Sequence, residues 1–266
     1  MDLNLKEKVA LVTGASKGIG KGIAEELAKE GCHLIICARD QVDLSQVVSE
    51  LEKYNVDVLA VPTDLTDEQQ IDNLIHKSQE RFGKIDILVN NAGTIGDPLS
   101  FMELSTQQWR DIFELNVFSA VTLIRKVVPM MQHNKWGRII NISSENGEQP
   151  DPDMAHYNVT KGALNNLTKT LSKVLAKDGI LVNTVSPAFI KTPLVESMMQ
   201  DIADKEGITP DEAVQAFLKN KRPNLVLERA GDVEETASVV TFLASDKASF
   251  VTGANFRVDG GSVASV

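Results

Sequence analysis

The sequence predicts an α/β fold: a doubly wound parallel sheet of about seven strands, with helices on both faces and a helical insertion at residues 190–227. Three observations predict it. Short β-branched runs alternate with longer amphipathic stretches from Lys8 to about Asp259, most of the short runs are continuously apolar, and no Pro/Gly/Ser-rich linker or internal repeat interrupts the alternation. Continuous apolar runs suit strands buried on both faces, which is the condition of a parallel sheet covered by helices.

The strands are expected at Val9–Val12, His33–Ala38, Val56–Val61, Ile85–Asn90, Arg138–Ile142, Ile180–Val185 and Asn255–Val258. Between them, apolar spacing of three and four predicts helices over Ile19–Glu30, Leu44–Lys53, Glu68–Arg81, Gln107–Met131, Met154–Lys177 and Val233–Ala244. Right-handed crossovers then wind helices onto both faces and leave a ligand crevice at the carboxyl ends of the strands. Functional residues should therefore fall just after strands. The stretch Ile190–Leu227 has no strand pattern, carries two short helical candidates and reads as a lid. Thr209-Pro210-Asp211-Glu212 marks the second helix start with an N-cap, a proline at the first helical position and an acidic residue three after the cap.

A chain of 266 residues without a linker is read as one domain, residues 1–266. Its 42% hydrophobic and 24% charged content is that of a globular protein. A net charge of -10 argues against a general affinity for nucleic acid or an anionic membrane. No apolar run approaches the ~20 residues of a membrane span, and Met1-Asp2-Leu3-Asn4 lacks the basic-then-apolar layout of a signal peptide, so a cytoplasmic location is expected. Cys32 and Cys37 should point to opposite faces of the sheet, too far apart for a disulfide. The histidines at 33, 76, 133 and 156 form no pair at ligand spacing, and no metal is expected.

Directly after the first strand, Thr13-Gly14-Ala15-Ser16-Lys17-Gly18-Ile19-Gly20 leads into a helix. Glycines let the backbone approach a pyrophosphate, and free N–H groups at the helix start supply partial positive charge. Tyr157 and Lys161 lie four apart on a predicted helix, so a cation sits a turn from a phenol, and an adjacent ammonium favours the phenolate. Ser144, at the end of the fifth strand, can hydrogen-bond a substrate oxygen. Alone, Tyr-x-x-x-Lys is a common surface pair and Ser144 a turn hydroxyl. Together with a phosphate loop upstream they read as one functional site, with proton exchange through Tyr157. His156, beside Tyr157, diverges from it by about 100° around the axis and is expected at the helix surface or a pocket wall.

Gly-x-x-x-Gly-x-Gly at residues 14–20, Asn90-Asn91-Ala92-Gly93, Asn116, Ser144 and Tyr157-x-x-x-Lys161 resemble the short-chain dehydrogenase/reductase family, in order and spacing, over nearly the whole chain from Lys8 to Gly261. The resemblance implies a Rossmann-like fold and reversible hydride transfer between a nicotinamide dinucleotide and a ketone or secondary alcohol. It implies Tyr157 as acid/base, Lys161 on the nicotinamide ribose, Ser144 on the substrate oxygen and Asn116 holding a water against the lysine. It also implies Asp64 and Leu65 beside the adenine, Asn90, Ala92 and Gly93 along the cofactor, Ile190 and Thr192 at the carboxamide, and a homotetramer. Pro187-Ala188 stands where relatives commonly carry Pro-Gly, which tightens the nicotinamide pocket.

At the end of the second strand Arg39 can bind a 2'-phosphate with Lys17 in reach, and Asp40 reads as a helix N-cap, so NADP(H) is expected in preference to NAD(H). Thr94, Ile95, Glu145, Met154, Leu194 and Met198 are the substrate-pocket candidates, for a small carbonyl or alcohol. A 3-oxoacyl carrier-protein or CoA thioester reductase is the alternative within the family. A dinucleotide-binding sensor without turnover is the alternative outside enzymes, and intact Tyr157 and Lys161 speak against it.

Overall fold

The computed structural model of the protein describes residues 2–265. Among them, seven strands form one parallel sheet: β1 (Val9–Thr13), β2 (His33–Ala38), β3 (Val58–Pro62), β4 (Ile87–Asn90), β5 (Gly137–Ile142), β6 (Ile180–Pro187) and β7 (Asn255–Val258). Their order is β3-β2-β1-β4-β5-β6-β7. The chain builds outward from β1 to β3, then crosses back to place β4 on the other side of β1. The two halves diverge between β1 and β4, and that switch point opens a crevice at the carboxyl edge.

Residue parity explains why helices are needed on both faces. Ala10, Val12, Leu34 and Ile36 point into one core, covered by α1 (Gly18–Lys29), α2 (Gln41–Leu51) and α9 (Val233–Ala244). Val9, Leu11, Ile35 and Cys37 point into the other, covered by α3 (Glu68–Phe82), α5 (Ser119–Asn134) and α6 (Ala155–Leu175). Successive side chains of a strand face opposite ways, so a continuous apolar run fills two cores at once. Cys32 belongs to the first core and Cys37 to the second, both as free thiols, as their odd spacing requires.

Several boundaries differ from the expected ones, each for a local reason. β4 begins at Ile87 because the carboxylate of Asp86 is buried and accepts the Val9 N–H at 2.9 Å. α2 begins at Gln41 because Asp40 caps it, accepting the N–H groups of Val42 and Asp43. The helix expected over 107–131 is two helices, α4 (Thr106–Phe113) and α5, joined by a π-helical turn over Glu114–Phe118. Such turns insert a residue into the helical ladder and re-aim side chains, here that of Asn116.

Between β6 and α9 lie α7 (Pro193–Glu206) and α8 (Pro210–Lys221), capped by Thr192 and Thr209. They enclose a small apolar cluster of Phe189, Met199, Leu218 and Leu225, with Phe189 stacked on Phe217 at 4.8 Å between ring centres. The second helix start is the capping box read in the sequence. No helix among the described residues is long and apolar enough to cross a membrane.

Candidate active site

The crevice has two lobes that meet at the glycine loop. One, a cavity of about 410 Å³, lies over the ends of β1, β4, β5 and β6. The other, of about 550 Å³, lies over the ends of β1, β2 and β3, and the two share Gly14, Lys17, Ala92 and Gly93 as walls.

The loop is held by side chains from the neighbouring strand. The Thr13 hydroxyl accepts the N–H groups of Asn91 and Ala92, both at 2.9 Å, and the Asn91 amide donates to the Thr13 carbonyl at 2.9 Å. Gly14 has φ +62, which a side chain would strain, and a Cβ there would lie 3.0 Å from the Ala92 backbone. At Gly20 a Cβ would lie 2.3 Å from the Gly14 carbonyl oxygen, so this glycine serves the packing of loop on helix. α1 starts at Gly18 with no side-chain cap and no acidic residue in its first turn, whereas α2, α3, α4, α7 and α8 start on Asp40, Asp67, Ser105, Thr192 and Thr209. Uncapped N–H groups facing a cleft fit a bound pyrophosphate, so the residues present suit a dinucleotide.

In the first lobe, Ser144, Tyr157 and Lys161 line one wall. Ser144 lies two residues beyond β5, caps the short turn Glu145–Gly147 by accepting the Asn146 N–H at 3.2 Å, and stands near enough to Tyr157 to lower the proton affinity of its hydroxyl. Lys161, one turn along α6, is buried; its ammonium donates to the Ile142 carbonyl at 2.9 Å and lies 5.5 Å from the Tyr157 ring centre. Ser143 anchors the same helix, donating to the Lys161 carbonyl at 3.0 Å. Asn116 stands behind this wall. Its amide accepts the Thr94 N–H at 2.9 Å, and donates to the Thr94 carbonyl at 2.8 Å and to the Thr160 hydroxyl at 3.1 Å.

Burial, not the neighbouring cation, dominates the proton affinity of the phenol. It pushes Tyr157 above its usual value; the Ser144 hydrogen bond opposes this, Glu145 adds to it and Arg222 opposes it. Burial also lowers Lys161, to about 8. The bare fold thus holds the phenol protonated, the opposite of the direction expected from spacing, because the lysine that would favour phenolate points to a backbone carbonyl and is itself desolvated.

The remaining expected site residues fall into three groups: those on the first lobe, those on the second, and those on neither. Gly18, Ile19, Gly20, Pro187, Ala188 and Thr192 line the first lobe together with Thr94, Ile95 and Leu194; Ser16, Arg39, Asp64 and Leu65 line the second. Lys17 is paired with Asp43 at 2.9 Å, and Asp64 closes a turn by accepting the N–H and hydroxyl of Thr66. Asn90 lines neither lobe: its amide donates to Asn141 at 2.8 Å in a buried polar row that continues to Thr168 and Thr184. Ile190 is buried and bridges to Gly231, away from both lobes. Met198 packs into the cluster under α7 and α8, Met154 receives a contact from the Asn146 amide at 3.9 Å, and Glu145 turns to Arg222. His156 is buried against Trp109, not at the surface, because the loop through Gly96 covers it. Thr13 as the loop's anchor, Asn141 and Arg222 carry roles that no spacing marks, because they arise only where separate strands and helices meet.

A doubly wound sheet with an uncapped glycine-loop helix and a Ser-Tyr-Lys wall defines a dinucleotide-dependent class of protein. The short chain dehydrogenase family model matches residues 8–203, and the chain belongs to that family; it is an oxidoreductase. It is 37% identical to the Bacillus subtilis oxidoreductase YvaG over 268 residues, covering all of both chains. It is 35% identical to the 3-oxoacyl-[acyl-carrier-protein] reductase FabG of Staphylococcus epidermidis over 255 residues, 96% of this chain and 98% of that one. Its fold matches the crystal structure of L-sorbose reductase from Gluconobacter frateurii, complexed with NADPH and L-sorbose, with a TM-score of 0.95 and 36% identity over all of both chains.

Proposed function

We propose that the protein is an NADP(H)-preferring reductase that converts a small polar ketone to a secondary alcohol. The observation that carries this reading is the first lobe: Ser144, Tyr157 and Lys161 share one wall of a cavity of about 410 Å³ that adjoins the uncapped start of α1. A cofactor's reactive end and a substrate must both fit there, which favours a compact substrate. The L-sorbose reductase with its bound sugar supports the same class.

Bound nicotinamide supplies the hydride. The chain supplies position and proton. Ser144 and Tyr157 hydrogen-bond the substrate oxygen, and Tyr157, held protonated by burial, gives its proton as the oxygen gains charge. Lys161 holds the ribose and keeps positive charge beside the phenol that the donor step leaves behind. Asn116 fixes the Thr94 loop over the site and holds a water against Lys161, so that a proton from solvent returns through water and lysine to Tyr157. Gly14, Ser16, Gly18, Ile19 and Gly20 bind the pyrophosphate, Arg39 and Lys17 the 2'-phosphate, and Asp64 and Leu65 the adenine. Because burial raises the phenol's proton affinity, the acid form that reduction uses is the resting one, and oxidation is expected to quicken as pH rises.

Residues 190–227 act as the substrate lid of a single domain, and the protein is a cytoplasmic homotetramer. NADPH oxidation across a panel of ketoses, diketones and 3-oxoacyl thioesters tests the assignment. Turnover of small polar ketones is the expected result; turnover confined to thioesters would replace it with the carrier-protein reductase reading, which the FabG similarity favours. NADPH binding without turnover would point to a sensor. Sedimentation tests the assembly, a stable monomer counting against it.

A further inference from the structure

The end of α8 is tied to the loop that joins β5 to α6. Arg222 follows α8, and its side chain is only 13% exposed. Its Nε donates to Glu145 Oε1, and one terminal nitrogen donates to Asp151 Oδ2 at 3.3 Å and to the Lys221 carbonyl at 2.7 Å. Glu145 is the residue after Ser144, its carboxylate 3% exposed, with Oε2 buried and without a partner. Asp151 leads into α6, and its carbonyl accepts the Asn158 amide at 2.6 Å, one residue from Tyr157. One guanidinium therefore grips both ends of the loop between Ser144 and Tyr157. A second pair, Lys221 with Asp153 at 3.1 Å, sits at the exposed rim.

Resting on the proposed roles of Ser144 and Tyr157, we infer that Arg222 is a positioning residue that latches α8 onto the catalytic loop, so that closure of the α7–α8 segment and placement of the serine and phenol are one event. A planar fork suits two carboxylates at once, which an ammonium cannot match. Removing one partner of a buried pair leaves an uncompensated charge, so the latch holds firmly when made and is costly when half-made. The charges that face the phenol are Lys161 from α6, Glu145 from the loop and Arg222 from α8, with Asp151, Asp153 and Lys221 further out. Glu145 raises the proton affinity of Tyr157 and Arg222 lowers it, so opening the latch also detunes the acid.

The test uses the two tyrosines of the chain, Tyr54 and Tyr157. In a Tyr54→Phe background, tyrosinate absorbance reports Tyr157 alone, and hydrogen exchange of residues 193–221 reports the latch; neither needs turnover. Arg222→Met is expected to speed exchange of α8 by about tenfold or more and to move the phenol titration to higher pH. Glu145→Gln moves the titration to lower pH. Arg222→Lys keeps the charge and loses the fork, so exchange quickens while the titration stays near the parent's. With an active ketone, Arg222→Met raises KM more than it lowers kcat. Parental exchange and parental titration in Arg222→Met would overturn the latch, whereas absence of ketone turnover in the parent would overturn the proposed function and leave these two readouts to decide the latch.

Discussion

The two lobes of the crevice sit at the same edge of the same sheet and are electrostatically unlike. Over β1–β3 the charged groups are at the surface: Arg39 is exposed, and Lys17, 63% exposed, pairs with Asp43 in water. Over β4–β6 they are inside: Lys161 is 4% exposed, and its proton affinity falls because burial disfavours the ammonium. Surface charges are screened and interchangeable, so the lobe over β1–β3 can select among cofactors at little cost to folding. Buried charges act at full strength and must be held by the whole fold, so the lobe over β4–β6 can perform chemistry but tolerates little change.

The sharpest way to break the buried lobe is Tyr157→Phe. The variant keeps the ring and removes the proton donor, and ketone reduction should fall by about 10²- to 10⁴-fold. NADPH binding, followed by fluorescence, should stay within a factor of a few. Retained turnover in a folded Tyr157→Phe protein would remove the phenol from the mechanism.

Lys161→Met comes next and separates activity from stability. Turnover should drop on the order of 10²-fold, from loss of the charge beside the phenol. Stability should move the other way. Lys161 titrates near 8 in the fold against 10.5 for the free side chain, so between those values the unfolded chain holds a proton that the fold does not. Wild-type stability therefore rises with pH across that window, and below it the fold carries the full cost of a buried ammonium. Urea unfolding should show Lys161→Met more stable than wild type at neutral pH by about 2 kcal/mol, the hydrogen bond to Ile142 offsetting part of the gain, with the gap closing toward pH 10.5. A pH-independent difference would show that burial does not set the lysine's proton affinity.

The contrast between lobes also marks what a sequence can reveal. The alternating sheet was legible because one apolar run per strand fills two cores, and the Gly14–Gly20 loop because its glycines sit between a strand and a helix. Tyr157 and Lys161 were legible because four residues make one helical turn. The sign of their electrostatics was not, since desolvation depends on what the fold packs around them and spacing carries no record of it. The π-helical turn at Asn116 left no mark, because its residues fit an α-helix equally well; it is the Thr94 loop that fixes the amide. Asn90 and Asn141 illustrate the same limit: a strand-end asparagine reads as a ligand group, and only register shows that it pairs across two strands. Arg222 was invisible for a plainer reason, being 77 residues from its partner Glu145.

In the exposed lobe, Arg39→Ala is the larger of two expected effects. A guanidinium facing a 2'-phosphate makes charge-assisted hydrogen bonds, and their loss should lower the ratio of catalytic efficiency with NADPH to that with NADH by about 10- to 100-fold. The change should sit in KM for NADPH, with kcat unaltered because the reacting groups lie in the other lobe. Equal loss with both cofactors would place Arg39 in the structure of the β2–α2 turn and not in cofactor choice.

Asp43→Asn gives the smallest effect and bears on the comparison most finely. Asp43 raises the proton affinity of Lys17 through their hydrogen bond and holds its ammonium at the start of α2. Neutralising it frees Lys17 and removes one negative charge from the wall proposed to meet a 2'-phosphate. Because the pair is solvent-exposed, KM for NADPH should fall by only about two- to threefold, with KM for NADH unchanged. The gain should shrink as salt rises from low to physiological strength, since screening over a Debye length of about 8 Å erodes exposed pairs first. A salt-independent change would mean that Lys17 reaches a dry pocket when the cofactor binds, and that the two lobes are more alike with ligand bound than the free fold makes them.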